Sequence, residues 1–253
     1  MLSLRKMLAF TPLVIALSVT KAFAFGTGAR VEVPIREVHL STGAIRYSVP
    51  VSVGGTRLEA MLDTGSFGLR VLARALPPDQ YAPTQIQRNF SFASGARLHG
   101  VIATAVVGIG GISTGAPVPI QVVGGVDCTP RMPNCPVSRV SPWQYGIGGN
   151  GLPSEGFSAI LGLSLRSPHV HMGAGNPLRA MGVRRWIVVL PRPGEGGRLI
   201  INPDPGELAG FTTTHMLPRQ LDSGAGMGGL SRLWSYSVLY DAGRGTMSVR
   251  PRP

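Results

Sequence analysis

An all-β fold is what this 253-residue sequence predicts, and three observations carry that expectation. Glycine (35) and proline (22) are abundant, and both break long helices. Charged residues make up only 14% and apolar ones 43%, which is too apolar for a disordered chain. Short runs of β-branched and apolar residues recur between Gly, Pro and Asn turn signals.

Val31 to Ile35 and Tyr47 to Val53 read as strands, and Gly54-Gly55 turns the second into a return strand, Arg57 to Leu62. That strand runs directly into Asp63-Thr64-Gly65, and Leu69 to Leu72 resumes an apolar path. Phe90-Ser91-Phe92 reads as one hairpin arm, residues 93–96 as its tip, and Leu98 to Ile109 as the return. Val118 to Val123 is a further strand, whereas Gly124 to Pro153 is rich in Gly, Pro and Asn and reads as an irregular loop. Phe157 to Leu163 is a compact apolar strand, and Asn176 to Met181 is one short helix. Two hairpins close the chain, Trp186–Leu190 with Leu199–Ile201 and Tyr236–Tyr240 with Thr246–Arg250. There is no internal repeat.

The first 24 residues read as a signal peptide: Arg5 and Lys6, an apolar run from Met7 to Val19, then Ala22-Phe23-Ala24. The expected location is therefore periplasmic or secreted, with no stable membrane insertion after cleavage. The full chain has 24 basic and 12 acidic residues. Without Arg5, Lys6 and Lys21 the balance is 21 against 12, and every remaining basic residue is arginine. Such a surface attracts anionic partners. The arginines are scattered and no nucleic-acid motif is present, so a nucleic-acid partner is not expected. Cys128 and Cys135 flank a proline-containing loop and are expected to form a local disulfide.

The candidate chemistry centres on Ala60-Met61-Leu62-Asp63-Thr64-Gly65-Ser66. An aspartate at a strand end, followed by hydroxyl residues and a glycine, is a carboxylate on a tight turn with donors beside it. Two such carboxylates a few ångströms apart cannot both ionise, and the pair activates water as base and acid together. An isolated Asp-Thr-Gly is also ordinary turn chemistry. Here Tyr47-Ser-Val-Pro-Val-Ser-Val-Gly54 leads into it, and Ile160-Leu161-Gly162-Leu163 follows downstream.

This ordered set resembles the amino-terminal lobe of the pepsin-like aspartic peptidases, most closely over residues 45–165. The resemblance implies a pepsin/retropepsin-like barrel with a shortened second lobe. It divides the chain into an amino-terminal lobe, residues 25–183, and a reduced carboxy-terminal lobe or central-sheet segment, residues 184–253. It implies peptide-bond hydrolysis without metal or cofactor, with Asp63 catalytic, Thr64, Gly65, Ser66 and Phe92 contacting a polypeptide substrate, and Phe92 on a flap. It also implies that Ile160 to Leu163 passes through the active-site loop.

The departures are specific. The only second candidate loop is Leu221-Asp222-Ser223-Gly224, with 29 residues after it and no apolar-apolar-Gly strand among them. Phe92 replaces the usual flap tyrosine, and Arg70 stands where the family commonly has tryptophan. Three readings follow: a homodimer in which each chain gives one Asp63, an intramolecular Asp63–Asp222 pair, or a non-catalytic relative that binds a peptide or other ligand. His169-Val-His171 reads as a surface loop rather than a metal site, because no third ligand is nearby. Tyr145-Gly-Ile-Gly-Gly-Asn-Gly151 lacks the strand and helix of a phosphate loop and reads as flexible. Asp222-Ser223-Gly224 lacks the upstream histidine of a trypsin-like serine peptidase.

Overall fold

The computed structural model describes residues 28–165, 173–213 and 235–253. The expected signal peptide, His169, His171 and Asp222 lie outside the described residues. Among those described, the architecture is all-β. The strands in chain order are β1 (Val31–His39), β2 (Ile45–Val53), β3 (Thr56–Asp63), β4 (Phe67–Leu72), β5 (Ala82–Ser91), β6 (Ala96–Ala105), β7 (Val107–Ile109) and β8 (Ile112–Ser113). They continue as β9 (Val118–Cys128), β10 (Ala159–Leu163), β11 (Arg185–Val189), β12 (Gly197–Ile201), β13 (Thr212–Thr213), β14 (Tyr236–Asp241) and β15 (Thr246–Pro251). The short helix α1 (Pro177–Ala180) starts on Asn176, whose side chain accepts from the Leu178 N–H.

The strands join edge to edge in the order β13-β15-β14-β11-β12-β1-β2-β3-β10-β4-β9-β6-β5. Strand β1 is the hinge of this arrangement. Val31 to Ile35 pair with β12, and Arg36 to His39 pair with β2. The largest buried cluster draws on both parts, with Val33, Leu62, Leu161, Trp186 and Tyr240 all at 2% exposure or less. The strands before and after residue 183 therefore share one apolar core. Side chains of β4 alternate between clusters: Leu69 and Val71 enter this core, whereas Leu72 enters a second one with Leu98, Tyr145, Ile147 and Ile160.

Three expectations are corrected. Strand β5 begins at Ala82, eight residues before the apolar signal at Phe90. It is the outermost strand, so its polar Gln85, Gln87 and Asn89 face solvent and give no apolar alternation. Strand β9 runs on through Gly124 and Gly125 to Cys128. The pairing with β6 shifts there, from His99↔Gly125 to Gly100↔Val123, leaving Gly124 as the extra residue of a bulge. A Cβ at Gly100 would collide with the Val122 carbonyl, which explains a glycine at that crossing.

The third correction concerns the glycine-rich stretch at 145–151. Tyr145, Gly146, Ile147, Gly149 and Gly151 are buried. The Ile147 and Phe157 backbones exchange two hydrogen bonds of 2.9 and 3.0 Å. Gly146, Gly149 and Gly156 stack so closely that a Cβ on any of them would strike neighbouring backbone. The glycines serve close packing rather than freedom of movement. Three charged residues tether the surrounding loop: Arg46 donates to the Gly148 carbonyl, Arg74 to the Tyr145 carbonyl, and Glu155 accepts from the Ser41 and Asn150 N–H groups. The expected Cys128–Cys135 disulfide is present at the mouth of the loop.

An ionic cluster adds to the strand pairing that joins the β5–β6 hairpin to β9. Arg97 makes a two-point contact with Asp127 at 2.7 and 2.6 Å, and His99 Nε2 lies 2.7 Å from the same carboxylate. The Arg97 guanidinium, with His99 adding to it, holds the Asp127 carboxyl down at about 2. A carboxyl that is lower in the folded than in the unfolded chain stabilises the fold above the ordinary aspartate range near 4. That contribution disappears as pH falls through about 2. Denaturant unfolding at pH 5 and at pH 2 tests this: Asp127→Asn is expected to lose less stability between the two than the parent does. An equal loss in both would show that the cluster is not what acid removes.

Candidate active-site loop

Asp63 is the last residue of β3, and the strand below it is anchored by buried Ala60 and Leu62. The carboxylate itself is half-buried, and its Oδ1 accepts from the Gly65 N–H at 2.9 Å. This is an aspartate folding its own turn, as Asp-Thr-Gly requires. Gly65 is exposed, Thr64 half-buried and Ser66 buried, with the Ser66 Oγ finding no hydrogen-bond partner among the described residues.

Strand β10 determines where this loop sits. It lies between β3 and β4, parallel to the first and antiparallel to the second. Leu161 stands beside Leu62 and Gly162 beside Asp63, while on the other side Gly162 faces Gly68. The strand thus passes through the loop that connects β3 to β4, as expected from Ile160-Leu161-Gly162-Leu163. The Ser164 N–H then donates to the Ser66 carbonyl at 3.0 Å. A Cβ on Gly162 would lie 2.5 Å from the Phe67 nitrogen and the Ser66 carbonyl carbon. Only glycine allows this approach.

Arg70 is 7% exposed and turns its guanidinium toward this loop. Its Nη1 donates to the Phe67 carbonyl at 2.8 Å, and its Cζ lies 3.5 Å from the centre of the Phe90 ring on the β5–β6 hairpin. Burial lowers the Arg70 guanidinium to about 10, against the pull of the Asp63 charge, which acts to raise it. A cation over an aromatic face in a desolvated setting is attracted by the ring. One side chain therefore connects the loop backbone, the neighbourhood of the carboxylate and the hairpin above. Gln121, across from Arg70 on β9, adds a second tie by donating to the Arg88 carbonyl of β5 at 3.0 Å.

Tyr240 approaches from the other part of the sheet. It is fully buried and stacks on Trp186, with ring centres 5.6 Å apart. Burial first, and the Asp63 charge second, push its phenol above the ordinary range, while the Thr64 hydroxyl acts in the opposite sense. The Tyr240 hydroxyl makes no hydrogen bond of ordinary geometry among the described residues. The contact between β14 and the Asp63 loop places the candidate carboxylate at the junction of the two halves of the sheet.

The sequence-chosen residues divide accordingly. Asp63, Thr64, Gly65 and Ser66 form one turn at the crossing of β3, β10 and β4. Phe92 begins the tip of the hairpin, where its N–H donates to the Ala96 carbonyl at 2.8 Å, and its ring packs on the Leu72–Leu98–Ile160 cluster. Phe90, in edge-to-face contact with Phe92 at 4.9 Å, is the aromatic residue over Arg70. Phe90 and Phe92 share a face by strand alternation, a signal open to sequence reading. Tyr240 carries no such signal, because its role depends on how β14 meets β3.

A shallow groove of about 350 Å³, lined by Tyr81, Gln87, His99, Val101 and Gly125 among others, lies on the opposite face of the hairpin from Phe90 and does not include Asp63. Among the described residues no three His, Cys, Asp or Glu side chains come together as a metal site. Residues 54–169 match a family described as "Protein of unknown function (DUF3443)". The match spans the β2–β3 turn, Asp63, the hairpin, the disulfide loop and β10, and it ends before β11. No curated protein matches the chain.

Because Gly162 is pressed onto the loop backbone, Gly162→Ala is expected to cost about 1–3 kcal/mol by overpacking. It should also shift the backbone amide signals of Ser66 and Phe67 in an NMR spectrum. A variant with parental stability and unchanged signals would contradict the close approach.

Proposed function

We propose that the protein is an exported aspartic-type endopeptidase in which Asp63 supplies one of two water-activating carboxylates. The observation that carries this reading is the passage of β10 between β3 and β4, with Gly162 against Ser66 and Phe67. It fixes a carboxylate at a strand end, half-open to solvent and supported by a backbone N–H. The chemistry needs a second carboxylate to share one proton with the first. We assign it to Asp63 of a second copy of the chain, so that the working form is a homodimer acting on polypeptides. The proton shared by such a pair places activity on the acid side of neutrality.

A second reading has its own observation. The buried Arg70 guanidinium donates to the Phe67 carbonyl beside the Asp63 turn and lies under the Phe90 ring, so loop and hairpin are joined by a side chain that an aspartate pair does not need. In that reading the loop and hairpin form a peptide-binding site that does not cleave.

Cleavage of an unfolded protein between pH 3 and pH 7 separates the two. The peptidase reading expects acid-side cleavage that falls about 10²- to 10⁴-fold in Asp63→Asn and survives in Asp222→Asn. Loss in Asp222→Asn would assign the second carboxylate to the same chain. Binding without cleavage, or cleavage indifferent to Asp63→Asn, would overturn the peptidase reading.

A further inference from the structure

The tethered loop between β9 and β10 shows a feature that the peptidase chemistry does not use. Trp143 is 76% exposed on it. Of the six large apolar side chains exposed among the described residues, three lie on this one loop: Met132, Trp143 and Leu152. Trp143 and Leu152 are brought together by the chain, since the Ser154 N–H donates to the carbonyl of Gln144. The root of Arg139 sits beside Gly151, next to Leu152, where a glycine Cβ would lie 3.0 Å from the Arg139 Cβ. A mobile loop would be free to fold such a tryptophan against the protein. Here the disulfide, the Arg46 and Arg74 tethers and Glu155 fix the backbone and leave the ring outside.

The charges on the loop have one sign. Arg131 and Arg139 are exposed and make no ion pair among the described residues. The only acid between residues 129 and 156 is Glu155, whose carboxylate is engaged by the Ser41 and Asn150 N–H groups. An exposed tryptophan with a leucine near it, Arg139 rooted next to that leucine and Arg131 on the same loop match the boundary of a lipid layer. There an indole sits at headgroup level and arginines meet anionic phosphates. Among the described residues no helix is long and apolar enough to cross a membrane, so the contact would be peripheral. We propose that this loop docks the protein on an anionic phospholipid surface, with Trp143 and Leu152 entering the headgroup layer and Arg131 and Arg139 pairing with phosphates.

The chain without the expected signal peptide, residues 25–253, is tested against vesicles of phosphatidylglycerol and of phosphatidylcholine by co-sedimentation, with quenching of tryptophan emission by brominated acyl chains as the second readout. Trp143→Ala is expected to bind phosphatidylglycerol roughly tenfold more weakly. Arg131→Gln and Arg139→Gln should each weaken it roughly fivefold. Bromine quenching should be present in the parent and absent in Trp143→Phe. All three positions are exposed, so thermal melting should not move. The proposal is overturned if the variants bind as the parent does, if phosphatidylcholine is bound equally well, or if quenching survives in Trp143→Phe. It is also overturned if the parent binds polyglutamate but neither kind of vesicle, which would make the surface a site for acidic proteins.

Discussion

The contact between Gly162 and the backbone of Ser66 and Phe67 is the constraint on which the rest of the site depends. Because no side chain intervenes, β10 can run between β3 and β4 and hydrogen-bond to both. That passage closes the connection between them into a tight turn, and the turn leaves Asp63 at a strand end with the Gly65 N–H beneath its carboxylate. Buried Leu161 and Leu163 on β10, with Leu62 on β3 and Leu69 on β4, lock the crossing into the main core. The same core contains Trp186 and Tyr240, so the loop is braced by strands far away in sequence.

The electrostatics of this face are dominated by arginine. Arg46, Arg70 and Arg74 are all lowered by burial, and each satisfies a backbone carbonyl: Gly148, Phe67 and Tyr145 respectively. Guanidinium suits this role because it stays charged and offers several donors in a fixed fork. Two of the three carbonyls belong to the tethered loop and one to the Asp63 loop. Arg70 therefore ties the candidate loop to the hairpin, while Arg46 and Arg74 tie the Trp143 loop to β2 and to the segment after β4. Buried cations without a close carboxylate are costly in themselves. Asp63 and Glu155 offset that cost in part, as their effects on Arg70 and Arg46 show.

The sequence conveyed the strands and the candidate loop well, because both depend on local pattern. Apolar runs and alternation located β2 and β3, a compact apolar run located β10, and Gly54-Gly55 and Asp63-Thr64-Gly65 marked the turns. What it conveyed poorly depends on neighbours brought in by the fold. Strand β5 lacked a pattern because it is an outermost strand whose half-buried face carries Thr84 and Arg88 before Phe90, and Gly124 read as loop because a bulge looks like a break. The glycines of 145–151 read as flexible, although the lack of side chains at Gly146 and Gly149, with Gly156, is what lets three backbones pack together. Arg70 was legible as an unusual residue at that position, but its contact with Phe90 follows only from the hairpin folding over β4. Asp222 lies outside the described residues.

The central claim is that Asp63 acts as one half of a carboxylate pair completed by a second chain. Mixing parent protein with an excess of Asp63→Asn protein, allowing the chains to exchange and then measuring cleavage at acid pH tests it most directly. The account predicts that activity falls in proportion to the parent–parent pairs left, far below what dilution alone gives. Activity that stays proportional to the amount of parent protein, whatever the excess of variant, would contradict it.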